Sequence, residues 1–195
     1  ASDSQIQKNT LLVKDFDLNH TVQPGVMDSQ NGSYALAMID NAVKGCMDGQ
    51  FTGCITGPVN KESIAKSGYE FSGHTEYIGK LCNQTPVMTF ISDQMKIALL
   101  TTHLPIKAVP EHITIQGIMD VVKIVHTDLV NYFGIENPKI GITGLNPHAG
   151  ENGHIGKEEE EIFLPALKSL NDSGIHIDGP YAADTILLKN AGHDL

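Results

Sequence analysis

Two histidines are set where chemistry could be done. His103 lies in Thr101-Thr102-His103-Leu104-Pro105, just past Lys96 to Leu100, an apolar run that reads as a buried strand. His148 lies in Asn146-Pro147-His148, just past a second short strand from Lys139 to Thr143. Proline fixes its own φ and restricts the residue before it, so a neighbouring side chain is presented from a stiff backbone. Histidines at the ends of different strands can meet above a sheet, whereas histidines in mid-helix usually cannot. Neutral imidazole binds divalent zinc, nickel, cobalt and iron, and such a metal polarises a hydroxyl or carbonyl oxygen as a Lewis acid. A catalytic zinc usually takes three protein ligands and keeps one position open. His74, His154 or a group beyond residue 195 could complete the set.

His148 sits in a longer stretch, Gly141 to Glu158, with five glycines and with His154 six residues further on. A strand precedes it and a helix from Glu158 to Leu170 follows, so it is a strand-to-helix loop. Ligands of open α/β folds bind in crevices outside the carboxyl ends of strands. Five glycines in such a loop point to unusual backbone angles or close approach to a ligand. The plain alternative is a glycine-rich surface loop. Glu158 to Glu161 read as a solvated helix start whose charges complement the helix dipole.

Two earlier segments are weaker candidates. Gly53-Cys54-Ile55-Thr56 reads as a short buried strand running into Gly57-Pro58-Val59-Asn60-Lys61. Asn60 can cap a helix from Lys61 to Lys66, closed by Gly68. A helix N-terminus after a turn can bind an anion, but the spacing is neither a P-loop nor GxGxxG, and an ordinary turn is the simpler reading. In Phe71-Ser72-Gly73-His74-Thr75-Glu76, Thr75 can cap a helix to about Cys82, leaving His74 beside its N-terminus. His126 lies within a helix and reads as a surface residue; His112 belongs to a loop or first turn.

The elements that must position these residues follow from periodicity. Residues 1 to 32 are polar and irregular, with a candidate strand at Leu11-Leu12-Val13. Leu36, Ile39, Val43 and Met47 mark one face of a helix that Gly49 stops. Val87 to Ile91 and Lys96 to Leu100 are strands joined by a hairpin-length connection. Ile113 to Phe133 is the clearest helix, capped by Thr114 and closed by Gly134. Pro165 should kink or break the Glu158–Leu170 helix. Asn171 to Gly174 is a turn, Ile175-His176-Ile177 a strand, Asp178-Gly179-Pro180 a turn, and Tyr181 to Ile186 a helix or turn. The pattern predicts an α/β fold, with a mixed sheet and helices on its faces and no linker or repeat dividing the chain.

Composition narrows the function. The chain has 195 residues, 41% hydrophobic and 18% charged, which is globular rather than disordered. A formal net charge of −10 argues against nucleic acid and anionic membrane surfaces. No apolar run approaches a membrane span, and Ala1 to Gln5 lack the basic and apolar regions of a signal peptide. Three cysteines without a CxxC pair read as reduced cytoplasmic thiols. All 13 basic residues are lysine; anion grips usually use arginine forks, so part of any such grip is expected outside this chain. At this level a metal-dependent enzyme and a non-catalytic α/β binding domain both remain open.

The motifs taken together are more specific. Thr56-Gly57-Pro58-Val59-Asn60-Lys61, Ser72-Gly73-His74-Thr75-Glu76, Thr101-Thr102-His103-Leu104-Pro105, Gly144 to Glu151, Gly153-His154-Ile155-Gly156 and Gly179 to Thr185 occur in one order. Over about residues 33 to 187 this combination resembles the 4-hydroxythreonine-4-phosphate dehydrogenase family of vitamin B6 biosynthesis. The resemblance implies a cytoplasmic homodimer whose active site is shared between subunits, with a fold similar to isocitrate and isopropylmalate dehydrogenases. It implies oxidation of 4-phosphooxy-threonine by NAD, followed by decarboxylation to 3-amino-2-oxopropyl phosphate. A divalent metal is implied too, zinc first, with magnesium or cobalt as alternatives. His103 and His148 match metal ligands, and His74 and Thr75 match contacts to the small phosphorylated substrate; no residue is matched to a catalytic or NAD-binding role. The third metal histidine belongs to a Tyr-His-Asp-Gln motif expected just after Leu195; His193, in Gly-His-Asp-Leu, is not given that role. The chain is therefore expected to be the central portion of a two-lobed dehydrogenase, lacking both ends and inactive alone. Asn60, where many members have histidine, and Tyr181-Ala182, where Leu-Pro is common, leave room for a sister dehydrogenase of 4-phospho-threonate or 4-phospho-erythronate.

Overall fold

The computed structural model describes residues 11–18 and 20–186. His193 and the residues at either end of the chain lie outside that range. The chain forms two compact units, Ala1–Pro86 and Val87–Leu195, with no linker-like composition at the change.

Helices make the first unit. Helix α1, Gln30–Met47, buries Leu36, Ile39 and Val43, as their spacing requires, while Met47 at its end is exposed. Asp28 Oδ1 accepts from the Gln30 N–H at 2.9 Å and satisfies an orphan donor of the first turn. Helix α2, Lys61–Lys66, begins at Asn60, whose side chain accepts from the Ser63 N–H at 2.8 Å. Gly32 lets α1 and α2 touch: a Cβ there would stand 2.8 Å from Ile64 Cα. Helix α3, His74–Cys82, is tied to α1 by Tyr77, whose hydroxyl donates to Asp40 Oδ1 at 2.7 Å. Burial, then the Asp40 hydrogen bond and charge, push the Tyr77 phenol up to about 12. Two expected strands do not form here. Leu11–Val13 and Gly53–Thr56 have no ladder partner among the described residues, and Ile55 is fully exposed. A short apolar run becomes a strand only when another backbone satisfies its N–H and C=O groups.

The second unit carries the strands, as two small sheets among the described residues in place of the single mixed sheet expected. β1 (Thr89–Ile91) and β2 (Lys96–Ala98) form the antiparallel hairpin, with Phe90 opposite Ile97. After β2 come a short helix α4, Val109–His112, and the long α5, Ile115–Asn131. The Thr114 hydroxyl caps α5 by accepting from the Gly117 N–H at 3.0 Å. β3 (Ile140–Thr143) pairs in parallel with β4 (Ile177–Tyr181), and α6, Leu164–Asp172, lies in the crossover. Ile118, Val122, Val125 and Leu129 of α5 pack with Ile140, Ile142, Phe163, Ala166, Leu167, Leu170 and Ile177 into one core. Leu170 is fully buried, and burial of a side chain of that size stabilises by roughly 1.5–3 kcal/mol. Asn171 joins α6 to β4, donating to Ile177 O at 2.8 Å and accepting from the Ile177 N–H at 3.3 Å. A last short helix, α7, covers Ala183–Ile186.

One expectation for this unit is corrected and one is narrowed. Asp178-Gly179-Pro180 is strand, not turn. A Cβ on Gly179 would meet Ile142 O at 2.5 Å, so the glycine admits the close approach of β3. Of the kink or break expected at Pro165, the break does not occur. The chain widens into a π-turn over Glu159–Phe163, where the Leu164 N–H reaches back to Glu159 O, and α6 continues from there. The wider register accommodates a ring that would otherwise strike the preceding turn.

Candidate functional site

Both strand-end histidines stand in left-handed backbone. His103, beyond β2, has φ 59°, and His148, beyond β3, has φ 53°. Non-glycine residues rarely adopt positive φ, and such conformations gather at functional sites. Both imidazoles are exposed.

At His148 the left-handed state continues. His148, Ala149, Gly150, Glu151, Asn152 and Gly153 have φ of 53°, 52°, 79°, 45°, 53° and 82°. Left-handed backbone costs an L-residue about 1–2 kcal/mol and normally occurs as single residues. Besides the 3₁₀-type bonding within Pro147–Glu151, the Ala149 N–H donates to Asn146 O at 3.1 Å, the His154 N–H to Glu151 O at 3.3 Å and the Ile155 N–H to Gly150 O at 3.0 Å.

Glu159 is hydrogen-bonded to Asn146 at the root of the turn. This residue is 3% exposed. Its Oε1 accepts from the Asn146 N–H at 2.8 Å and its Oε2 from Asn146 Nδ2 at 2.9 Å; the same amide nitrogen donates to Glu158 Oε2 at 2.8 Å. Burial raises the Glu159 pKa, but the hydrogen bonds from Asn146 and from the Asn146, Glu159 and Leu145 backbone outweigh it and leave the group below its ordinary value. The glycines fit the same account. A Cβ on Gly144 would stand 3.0 Å from Glu159 Oε1, and one on Gly150 would stand 2.7 Å from Oε2. The close approach that five glycines suggested is, at Gly150, to the protein's own carboxylate, and at Gly144 to Ala149 as well. This also corrects the reading of Glu158 to Glu161 as a solvated helix start: Glu160 and Glu161 are exposed, but Glu159 is buried. Its spacing to Phe163, Ala166 and Leu170, four, seven and eleven residues on, was the available signal, for those residues are the buried stripe.

In the other unit, His74 is the first residue of α3 and meets the Phe71 ring edge-on at 5.6 Å. Its Nε2 is buried without a hydrogen-bond partner, which costs free energy unless another group supplies one. Thr75 is exposed and is not the cap. Gly73 precedes the helix in extended backbone, and the helical bonding starts with the Tyr77 N–H donating to Gly73 O at 3.1 Å. His154 is exposed in the turn after the left-handed segment. Cys46, Cys54 and Cys82 are free thiols; burial, then the neighbouring Cys54 and Cys82, push the Cys46 thiol up, away from a reactive thiolate.

Among the described residues, no group of three His, Cys, Asp or Glu side chains converges to hold a metal. His103 and His148 are donors of the right type for a borderline divalent metal and are one short of the usual number. No described feature defines a dinucleotide site. Among the described residues no helix is long and apolar enough to cross a membrane.

Fold and loop together describe an α/β protein with His103 and His148 exposed beyond β2 and β3. The chain belongs to the family described as pyridoxal phosphate biosynthetic protein PdxA, whose model matches residues 1–195. It is 44% identical over 177 residues to the 4-hydroxythreonine-4-phosphate dehydrogenase of Thioalkalivibrio sulfidiphilus, covering 90% of this chain and 54% of that one. Its fold is similar to the crystal structure of 4-hydroxythreonine-4-phosphate dehydrogenase from Klebsiella pneumoniae, with TM-score 0.79 and 29% identity over 88% of this chain and 52% of that one. A terephthalate 1,2-cis-dihydrodiol dehydrogenase from Burkholderia xenovorans is similar at TM-score 0.65 and 25% identity, covering 87% and 54%. The chain spans about half the length of the curated relatives it matches.

Proposed function

We propose that these residues form the metal-binding and part of the substrate-binding portion of an NAD-dependent, divalent-metal-dependent dehydrogenase of 4-phosphooxy-threonine. The observation that carries this reading is that His103 and His148, the residues matching the family's metal ligands, both stand in left-handed backbone beyond strands. In this reading the two imidazoles hold one divalent ion, zinc first, and a third donor comes from outside the 195 residues. When bound, the ion would polarise the substrate hydroxyl and, after oxidation, the ketone oxygen. The buried, unpartnered Nε2 of His74 suits a contact to a substrate oxygen, and Thr75 offers an exposed hydroxyl beside it. Oxidation removes a hydride from the secondary carbinol carbon and a proton from its oxygen; the β-keto acid then loses carbon dioxide. No step is assigned to a residue that would bind NAD. A homodimer with a shared site, an isocitrate dehydrogenase-like whole and a cytoplasmic location belong to the same proposal.

Two measurements test it. Zinc or cobalt(II) bound to the purified chain should fall at least about 10-fold in affinity on His103→Ala or His148→Ala, since each removes one imidazole ligand. Unchanged binding in both variants would remove the metal assignment. NADH formation with 4-phosphooxy-threonine should be negligible for the 195-residue chain and measurable for a protein of the relatives' full length. A second substrate reading rests on Asn60 and Tyr181-Ala182, the two places where the motifs depart from the resembled family. Turnover of 4-phospho-threonate or 4-phospho-erythronate, but not of 4-phosphooxy-threonine, would move the assignment to the sister enzyme.

A further inference from the structure

We propose that Glu159 is a positioning residue: its buried carboxylate, gripping Asn146, holds the left-handed turn that presents His148. The role in ligand binding rests on the metal reading above; the role in loop geometry does not.

Three observations converge. The turn runs through six successive residues at positive φ, four of them not glycine. Such a run persists only if its surroundings over-determine it. At the root of the turn, Asn146 is fixed by both of its donors. Its backbone N–H goes to Glu159 Oε1 at 2.8 Å and its side-chain Nδ2 to Glu159 Oε2 at 2.9 Å. Pro147 stiffens the single residue between Asn146 and His148. Finally, the carboxylate is packed against the loop on either side of His148: a Cβ on Gly150 would collide with Oε2 at 2.7 Å, and one on Gly144 would stand 3.0 Å from Oε1 and 2.9 Å from Ala149 Cα. Anchor, spacer and ligand are thus one rigid path from the helix after the loop to the imidazole. Glu159 is itself fixed, because it lies on the buried stripe with fully or nearly fully buried Phe163, Ala166 and Leu170. A carboxylate suits this place better than an amide. Both groups facing it from Asn146 are donors, and a glutamine would turn its own NH₂ towards one of them.

The experiment compares the unaltered chain with Glu159→Gln, nearly identical in shape. Folding is read from the α5 amide signals in NMR. Loop geometry is read from the strong intraresidue amide–Hα NOEs that a positive φ gives at Ala149, Glu151 and Asn152. Cobalt(II) binding is read by absorbance. The expected result is unchanged α5 signals, loss of those NOEs, and a roughly 10- to 100-fold weaker cobalt(II) affinity, the range for an outer partner of a metal ligand. A folded Glu159→Gln protein that keeps the left-handed NOEs overturns the proposal. Should that variant fail to fold, Asn146→Ala, which leaves the carboxylate in place and removes a side-chain donor, must weaken the same NOEs; retention of them overturns the proposal equally. If the unaltered chain binds no cobalt(II) through His148, the metal reading fails, and the NOEs alone still decide the role of Glu159.

Discussion

Left-handed backbone carries a penalty that only side chains with a Cβ bear. Ala149, at φ 52°, bears it without the local hydrogen bonding available to asparagine. Ala149→Gly should therefore raise stability by up to about 1 kcal/mol, read as a higher urea midpoint. The relief of about 1–2 kcal/mol of strain is partly offset by glycine's greater entropy when unfolded. A lowered midpoint would show that the Ala149 methyl contributes more packing than its backbone loses. Glu159 makes a pH prediction at the same scale. Its folded pKa lies below the unfolded value of about 4.3, so its stabilisation is complete above that value and is lost as pH falls through the lower folded one. Urea midpoints measured from neutral pH down through this acid range should fall more steeply for the unaltered chain than for Glu159→Gln. Parallel curves would mean that the carboxylate gains nothing on folding.

Helix α6 and the π-turn before it join the core to the site. Their apolar face packs against α5, β3 and β4, and its first member is the buried carboxylate under the loop. Leu170→Ala should cost about 2–5 kcal/mol, as large-to-small changes at fully buried sites do, measurable as a lower denaturant midpoint with little change in slope. A cost below about 1 kcal/mol would mean that α6 is not held where the structure puts it. Most of this element is legible from sequence, because Phe163, Ala166, Leu167 and Leu170 repeat at helical spacing. What the spacing leaves open is the response to Pro165. Proline forbids the regular bond at its position, and both a break and a wider turn satisfy that rule.

For the molecule as a whole, charge is the property fixed by composition. A formal net charge of −10 opposes binding to a polyanion whatever the fold. The chain should give no shift of a DNA duplex at micromolar concentration and about 0.1 M salt. A salt-sensitive shift would reveal a basic surface that the sum conceals. Division into two units was not legible, because no proline-, glycine- or serine-rich linker marks residues 86 and 87. The units differ in where their contacts lie, not in the composition of the chain between them.

Sequence by itself determined the features that local chemistry decides. The α5 stripe follows from a 3.6-residue period, and the caps at Asn60 and Thr114 from side-chain oxygens three residues before an unsatisfied N–H. The β1–β2 hairpin follows from two β-type runs at turn distance. The family was legible too, through motifs that name His103, His148, His74 and Thr75. Tertiary structure decided the rest. Gly53–Thr56 reads like a strand, but strands are completed by partners distant in sequence, and none reaches it among the described residues. Glu159 reads like its three exposed or half-exposed neighbours until Asn146, thirteen residues earlier, folds onto it. The left-handed turn at His148 has no local signature at Ala149 or Glu151, because no L-residue favours that state alone. It exists where a buried carboxylate and close-packed glycines leave the chain no cheaper path.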